Sequence, residues 1–392
     1  MSGQNRDYQN RKHRRKDRHT GPDQQQHSWT EDYLGPGYQK QALDLGTDDD
    51  GPVTATLVRY RPPAPTLHSG SLHTLHRHLP WSDGFRPGRD EQSQPEAPCV
   101  LYLHGWADYF FQTELAETLA EHGVKFYALD LRRYGRSLQP GQEEGYTEDL
   151  TVYDADLAAA MAVIRAEEGQ STQIHLLAHS LGGLIATLWA ERHPGELTSL
   201  ILNAPWLELQ GSRFVRQVAS QLVGPWVRAA PRRIFPLPEM TAYWQSVSIT
   251  AHGEWDLDPR WRPAASFPIR AGWVKAVLNG HAEVSKGLDI DVPVLMMLSG
   301  RSLIQADWSA EMMEVDAVID VGEMSRIALK LGRRVMVNRY PGALHDVFLS
   351  RRDVRELAYR DLHDWLSAYR PRTDVPLLWR IGTDSSGLTH QD

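Results

Sequence analysis

The sequence predicts an α/β fold, with a mostly parallel central sheet, helices on both of its faces and an inserted cap subdomain. Two observations lead to this prediction. Short apolar runs of strand length alternate with helical patterns from about residue 99 to residue 202, and strands reappear from residue 292 onward. Between about 205 and 290 this alternation stops, and that stretch holds six of the chain's thirteen tryptophans. The sequence therefore predicts a sheet-forming core that is interrupted by an insertion.

The individual elements follow from residue type and periodicity. A β-rich run begins at about residue 53 and ends at Pro62-Pro63, because proline cannot donate to a strand ladder. The later strands are short apolar runs, at 99–103, 124–129, 174–178, 197–202, 292–298 and 334–337. The predicted helices cover 114–121, 154–167, 184–192 and 352–369. They are recognised by apolar residues three or four positions apart or, for 184–192, by the stop at Pro194-Gly195.

The 392 residues divide into five predicted segments. Residues 1–40 are polar and are expected to be a disordered basic tail, because they cannot bury enough apolar surface to offset the entropy of ordering. The core comprises 41–204 and 291–370 and flanks the cap at 205–290. Residues 371–392 are expected to be a loose C-terminal tail.

Charge is unevenly distributed between the tail and the rest of the chain. Residues 1–18 carry seven Lys or Arg against two Asp, a net +5, and since the whole chain is −8 the remainder must be −13. An acidic folded part argues against nucleic acid as its specific partner. The basic tail is read as a solvated arm, with a weak contact to nucleic acid or an anionic membrane surface as the alternative. Since the chain shows neither an apolar run of about 18 residues nor a secretory signal, we expect a cytoplasmic protein.

Cysteine and histidine usage bears on metals. Cys99 is the only cysteine, so neither an internal disulfide nor a thiolate metal cage can be assembled from this chain, which fits a reducing compartment. His68, His73, His76 and His78 lie among Pro, Gly and Ser, with no carboxylate or thiol interleaved at ligand spacing. A surface loop is therefore favoured over a metal site, and we predict no metal and no organic cofactor.

The sharpest local pattern is Ala178-His179-Ser180-Leu181-Gly182-Gly183, where a buried strand turns directly into a helix. This is where a nucleophile elbow belongs, because a strained turn there lifts the serine hydroxyl above the sheet, close to the positive end of the next helix. Small neighbours are required because the strand and helix backbones crowd each other. Ala178 stands where the usual pattern has glycine, a departure of one methyl group. A helix N-cap serine is the weaker alternative.

A serine needs a base, and the base needs an orienting acceptor. His345 follows the last predicted strand, in a loop from which it can reach back over the sheet to Ser180. Three carboxylates follow the strand ending at Ser299-Gly300: Asp307, Asp316 and Asp320. The residues alone leave the choice among them open.

Four pieces of this sequence together resemble the serine α/β-hydrolases of the lysophospholipase and monoacylglycerol lipase group. They are Leu103-His104-Gly105-Trp106, Asp130 to Ser137, the elbow at Ser180 and Gly342 to His345, within a match from about 53 to 368. The resemblance implies an α/β-hydrolase fold. Members commonly carry Asp-x-x-x-Asp at the acid position with the first carboxylate paired to the histidine; Asp316 and Asp320 match this spacing, which implies Asp316 as the acid, with Asp307 and Asp320 as the alternatives. Arg133, where members often have glycine, and the stretch 301–315 depart from the pattern.

The oxyanion formed when Ser180 attacks a carbonyl needs two N–H donors. We expect the backbone of Leu181, after the nucleophile, and of Trp106, after His104-Gly105, to supply them.

Serine at position 180 favours acyl transfer, since related dehalogenases and epoxide hydrolases would have aspartate there. With a cap rich in Trp and Leu, the predicted function is a serine carboxylic ester hydrolase, acting through an acyl-enzyme on acyl-glycerol or lysophospholipid-like small molecules. A peptidase, amidase or acyltransferase using the same triad is the first alternative. A non-catalytic hydrolase-fold binding protein is the second, disfavoured because no triad member is obviously missing.

Overall fold

The computed structural model describes residues 28–63, 97–209, 229–235 and 241–369. Its centre is one nine-stranded sheet in the order β1-β2-β3-β5-β4-β6-β7-β8-β9. The strands are β1 Thr30–Glu31, β2 Tyr38–Asp48, β3 Gly51–Tyr60, β4 Cys99–Leu103, β5 Lys125–Asp130, β6 Ile174–His179, β7 Ser199–Asn203, β8 Val294–Ser299 and β9 Val335–Tyr340. The first three strands and the β3–β5 pair are antiparallel, and all pairs from β5 to β9 are parallel. The predicted fold class is thereby confirmed.

Helices cover both faces of this sheet. They are α1 Thr113–Glu121, α2 Tyr153–Glu168, α3 Ser180–Arg192, α4 Ala242–Val247, α5 Ala271–Lys286, α6 Val321–Ile327 and α7 Arg352–Ala368. Strand residues alternate between two cores: Leu101 and Leu103 face the core that includes α2, α3 and α5, while Val100 and Tyr102 face the core with α1 and α7. Because the central strands are buried on both faces, their sequences are predominantly apolar, as in Cys99–Leu103.

The prediction of a disordered tail over 1–40 is wrong for residues 28–40. Tyr38 begins β2, is only 2% exposed, and stacks beside Tyr60 and Phe110 with ring centroids 4.6 and 6.4 Å away. Asp32 is also buried, where it accepts two hydrogen bonds from the Arg136 guanidinium. These contacts join residues far apart in the chain, so the polar local composition did not reveal them. Residues 1–27 lie outside the described residues.

The predicted cap boundary at 290 also needs correction. Helix α5 packs into the main core, where Trp273 and Val277 are almost fully buried. At Gly280 an added Cβ would lie 3.1 Å from side-chain carbons of Leu150 and Leu188, so α5 touches the core closely. The part of the insertion that stands apart from the core therefore ends before α5. Residues 210–228 and 236–240 lie outside the described residues, as do the histidine-rich stretch within 64–96 and the tail from 370.

Arg133 occupies a backbone position that normally favours glycine. Its φ is +64°, in the left-handed region. The contacts of its side chain explain the residue. The guanidinium donates to Asp48, 85 residues away in the chain, at 2.7 Å and lies 2.8 Å from Asp50, both at the β2–β3 turn. The departure from the family pattern thus ties the edge hairpin to the core.

Candidate active site

Ser180 lies at the junction of β6 and α3. Helix α3 begins at Ser180 directly after the strand ends at His179, and the turn gives Ser180 a φ of +51°. A serine held in this region is strained, which is the mark of a nucleophile elbow. The side chain lies in a crowded place, since the residue is only 9% exposed.

Two glycines after Ser180 allow the helix to approach its neighbours. A Cβ at Gly182 would lie 2.2 Å from the backbone oxygen of His104, and one at Gly183 would lie 2.6 Å from Cβ of Pro205. Neither distance is tolerated by real atoms. The small residues predicted around the elbow are therefore required by contact of the helix with two adjacent loops.

His345 connects Ser180 to a carboxylate. Its Nε2 lies 3.0 Å from Ser180 Oγ, and its Nδ1 lies 2.9 Å from Asp316 Oδ2. Because a carboxylate only accepts, Nδ1 carries the proton, and Nε2 presents a lone pair to the serine O–H. His345 and Asp316 are 2% and 0% exposed, so water competes little for these bonds. The structure thus brings together the three residues that the sequence singled out.

Asp316 is fixed by its own backbone surroundings. Its second oxygen, Oδ1, accepts the N–H groups of Val318 and Ile319 at 2.7 and 2.8 Å. The two other candidate carboxylates lie elsewhere. Asp320 caps α6 by accepting the N–H groups of Gly322 and Glu323, and Asp307 is exposed.

The stretch 301–315 forms an excursion that closes at its base. The Leu303 N–H donates to the Asp316 carbonyl at 2.9 Å, and the Asp316 N–H donates to the Arg301 carbonyl at 3.0 Å. Ser302 adds a hydrogen bond from its hydroxyl to the Ile319 carbonyl. Because these hydrogen bonds join the two ends of the excursion, the extra residues do not displace Asp316 from its place beside His345 at the end of the sheet.

The loop after β4 carries the expected oxyanion donor Trp106. His104 Nε2 accepts the Leu131 N–H at 3.1 Å, so its proton is on Nδ1, which donates to the Gly105 carbonyl at 2.8 Å. In a trans peptide the carbonyl and the following N–H point in opposite directions, so the Trp106 N–H is turned away from His104. A Cβ at Gly105 would lie 3.1 Å from Ser180 Cβ, which places this peptide beside the nucleophile.

Leu181, the other expected donor, is the second residue of α3. N–H groups in the first turn of a helix have no partner within the helix, so this one is free of helical bonding. It also lies at the positive end of the helix dipole. The Leu181 amide therefore comes from the start of α3 and the Trp106 amide from the loop after β4.

Sequence reasoning missed several buried polar groups around His345. The ring of His179 lies 4.8 Å from that of His345, and the Tyr243 ring meets it edge-on at 5.3 Å. Burial lowers the pKa of His179 and raises that of Tyr243, so both are neutral at pH 7. Asp346, next in the chain, is fully buried. None of these has a sequence signature, because each polar residue comes from a different loop or element.

A buried ion pair lies near the same site. Arg262 donates to Asp108 Oδ1 at 2.8 Å, and both side chains are at most 8% exposed. Burial would lower the pKa of Arg262, but the nearby Asp108, Tyr243 and Asp346 groups together outweigh it and raise the pKa. The guanidinium also lies over the rings of Phe111 and Tyr243. The pair joins the cap segment to the loop that carries Trp106.

Neither a metal site nor a membrane span is seen in the part of the chain that the structure describes. Within residues 28–63, 97–209, 229–235 and 241–369, no three His, Cys, Asp or Glu side chains are grouped so that they could hold a metal ion. The helices within these ranges are all too short or too polar to cross a bilayer.

Comparison with known proteins places this geometry in a family. A family profile described as serine aminopeptidase, S33, matches residues 94–351. Lysophospholipase L2 of Escherichia coli K12 is 24% identical over 273 residues, which cover 67% of this chain and 77% of that protein. Monoacylglycerol lipase of Mycolicibacterium smegmatis is 21% identical over 289 residues, 69% of this chain and 88% of that one.

A solved structure shows the same fold. A soluble variant of monoglyceride lipase from Saccharomyces cerevisiae, crystallised with a substrate analogue, superposes with a TM-score of 0.55 at 16% identity, covering 84% of this chain and 97% of that one. The family profile and the two curated relatives confirm the resemblance to the lysophospholipase and monoacylglycerol lipase group and the prediction of a serine ester hydrolase. With the profile matched over most of its sheet and all of its site, the chain belongs to the serine aminopeptidase S33 family of α/β-hydrolases.

Proposed function

We propose that Ser180, His345 and Asp316 hydrolyse carboxylic esters of apolar acyl chains, with acyl-glycerols or lysophospholipid-like molecules as substrates. The observation that supports this most directly is the continuous hydrogen-bonded chain from Asp316 through His345 to Ser180. The curated relatives point to the same substrates, since one is a lysophospholipase and the other a monoacylglycerol lipase.

The reaction follows from the direction of these hydrogen bonds. Ser180 Oγ attacks the ester carbonyl carbon as its proton passes to His345 Nε2, and Asp316 stabilises the imidazolium that forms. The N–H groups of Leu181 and Trp106 stabilise the oxyanion. His345 then gives the proton to the alkoxide as the ester C–O bond breaks, which leaves an acyl-serine. Water, deprotonated by His345, releases the acid and restores Ser180.

An indole cluster beside the nucleophile supports an apolar acyl group. The backbone N–H of Trp206 donates to the Ser180 carbonyl at 2.9 Å, and the Trp206 ring lies 6.1 Å from that of Trp273. Trp273 in turn lies 3.9 Å from Trp106. Trp106 and Trp206 are only partly buried, so they offer aromatic surface close to Ser180.

The test is turnover of p-nitrophenyl esters from acetate to laurate by single variants. Ser180→Ala and His345→Ala are expected to abolish turnover, and Asp316→Asn to lower kcat by about 10³ to 10⁴. Asp307→Asn and Asp320→Asn are the matched controls, since they remove the same charge outside the hydrogen-bonded chain, and both should retain wild-type kcat. Equal losses in all three aspartate variants would contradict the assignment of Asp316.

The same panel separates the alternatives. Aminoacyl p-nitroanilides test the aminopeptidase activity after which the family is described, and added alcohols test acyl transfer. Faster cleavage of an anilide than of any ester would make the chain a peptidase or amidase. A wild-type protein that turns over none of these substrates would be a binding protein.

A cytoplasmic location also belongs to this proposal, since an acyl ester hydrolase with a single cysteine suits a reducing compartment.

A further inference from the structure

Asp346 is a buried carboxylate that the triad does not use. It follows His345 directly and is 0% exposed. Its Oδ1 accepts from Asn203 Nδ2 at 2.6 Å and from the Phe348 N–H at 3.0 Å, and its Oδ2 accepts from Gln112 Nε2 at 3.2 Å. Among residues 28–63, 97–209, 229–235 and 241–369, no ion pair includes Asp346. Burying a carboxylate is costly; here its hydrogen-bond donors are neutral, and the Arg262 charge lies near enough to interact with it.

The two amide side chains both present N–H donors to Asp346. Asn203 Oδ1 accepts the Val347 N–H at 3.1 Å, so its Nδ2 must be the atom that faces Asp346. Gln112 Oε1 accepts the Phe111 N–H at 3.1 Å, so its Nε2 faces Asp346 as well. Both amides are fixed as donors. A site that offers three donors and no acceptor is built for a carboxylate without a proton.

The backbone of Asp346 is held by the cap. Its N–H donates to the Tyr243 hydroxyl at 3.1 Å, and the Tyr243 ring meets the His345 ring edge-on. Asp346 therefore links the end of β7, the residue before α1 and helix α4 to the turn that carries His345. Such a node fixes the turn against displacement from three sides.

Titratable groups from several elements surround His345, and their charges differ. His179 and Tyr243 are neutral at pH 7, and Asp108 is balanced by Arg262. The Asp316 carboxylate is in direct contact with Nδ1. Asp346 carries a further charge beside this cluster, since its carboxylate acts on the neighbouring His179 ring and on Arg262.

We propose that Asp346 is a positioning residue that holds the His345 turn and, as a second carboxylate, stabilises the His345 imidazolium formed during acyl transfer. This rests on the proposed function, since it requires His345 to act as the base. Asp346 touches no reacting atom. Its effect reaches the reaction through the electrostatic environment and the placement of His345.

The test compares Asp346→Asn with Tyr243→Phe across a pH series of kcat/KM on one p-nitrophenyl ester. Removing the carboxylate makes protonated His345 less stable, so the neutral base persists to lower pH. The acid limb of the Asp346→Asn profile should move down by at least about 0.5 pH unit, with kcat reduced at least about tenfold. Tyr243→Phe removes an anchor but no charge at pH 7, so it should lower kcat with the acid limb unmoved. An unmoved acid limb in folded Asp346→Asn would overturn the proposal.

A second variant covers the case in which Asp346→Asn fails to fold. In Asn203→Asp/Asp346→Asn the carboxylate and the amide exchange places, which keeps the buried charge and the hydrogen bond between them. This variant should fold and keep its acid limb within about 0.3 pH unit of wild type. A folded exchange variant whose acid limb falls as far as expected for Asp346→Asn would count against a charge effect at this node.

The rate of labelling by a fluorophosphonate separates this proposal from the proposed function. The probe reports the activation of Ser180 by His345 without any natural substrate. A wild-type protein that reacts with the probe but hydrolyses no ester would overturn the ester substrates and leave the pH series on labelling to decide the role of Asp346.

Discussion

His104 Nε2 accepts the backbone N–H of Leu131 at 3.1 Å, and this one bond sets the tautomer of the imidazole. The proton is left on Nδ1, where it is donated to the Gly105 carbonyl and fixes the peptide that carries the Trp106 N–H. A side chain without chemistry of its own thus orients one of the two expected oxyanion donors.

Replacing His104 by phenylalanine keeps a ring of similar size and removes both hydrogen bonds. We expect kcat to fall by about 10²-fold while KM stays within about threefold, because the Trp106 N–H is needed in the transition state more than in substrate binding. Steady-state kinetics on a p-nitrophenyl ester measure this. His122→Phe, at an exposed histidine, is the control and should behave as wild type. A rise in KM with unchanged kcat would contradict the role assigned to the Gly105–Trp106 peptide.

Alanine at Gly182 or Gly183 should destabilise the protein through overpacking. The added methyl groups would meet backbone oxygen at His104 and the Pro205 ring, and such insertions typically cost about 1–3 kcal/mol. Thermal unfolding of both variants should show a lowered Tm. Gly322→Ala is the matched control, because a Cβ there would meet only the Asp320 carboxylate, at 3.2 Å. If all three variants have the same Tm, the close approach of α3 to its neighbouring loops is not what requires glycine.

The buried pair of Asp108 and Arg262 should show strong coupling. Asp108→Asn leaves the Arg262 charge without its partner and is expected to lower the free energy of unfolding by about 3–5 kcal/mol. The double variant Asp108→Leu/Arg262→Met should recover much of this loss, since no uncompensated charge remains. Denaturant unfolding of the wild type, Asp108→Leu, Arg262→Met and the double variant measures the coupling. Arg260→Ala, which breaks an exposed pair with Asp258, is the control and should leave the unfolding midpoint unchanged. Losses in the free energy of unfolding that simply add for Asp108→Leu and Arg262→Met would show that the two charges act independently.

Cys99 should be inert in the native protein. The side chain is 0% exposed in β4, and burial raises the pKa of its thiol, so the thiolate fraction at pH 8 is smaller than for an exposed cysteine. Incubation with a maleimide should modify no cysteine in the folded protein and one in guanidinium, as counted by intact mass. Ester turnover should survive the reagent. Rapid native labelling would mean that β4 opens readily.

The sequence was sufficient to predict the core and the strand-to-helix turn at Ser180 because their signals are local. A buried strand such as 99–103 is a continuous apolar run, and the elbow at Ser180 lies within six residues. The observed helix Arg352–Ala368 ends one residue before its predicted end. His345 was identified from its place after the last strand, which the parallel topology brings to the same edge as Ser180.

The missed features depend on contacts between distant segments. Tyr38 packs on Phe110, and Asp32 meets Arg136 across 104 residues, so the polar composition of the first forty residues concealed a strand. The hydrogen bond between Asn203 and Asp346 spans 143 residues. Nothing in either local sequence marks it, since an asparagine after a strand and an aspartate in a turn are common. The choice among three carboxylates likewise needed the fold, because only the closed base of the 301–315 excursion shows which one returns to the sheet.

The most direct measurement of the central claim is the site at which a fluorophosphonate attaches. Peptide mass spectrometry after labelling should find a single adduct, on Ser180, in the wild-type protein, with labelling lost in Ser180→Ala and strongly slowed in His345→Ala. An adduct on another residue, or equal labelling rates with and without His345, would contradict an active site built from these residues.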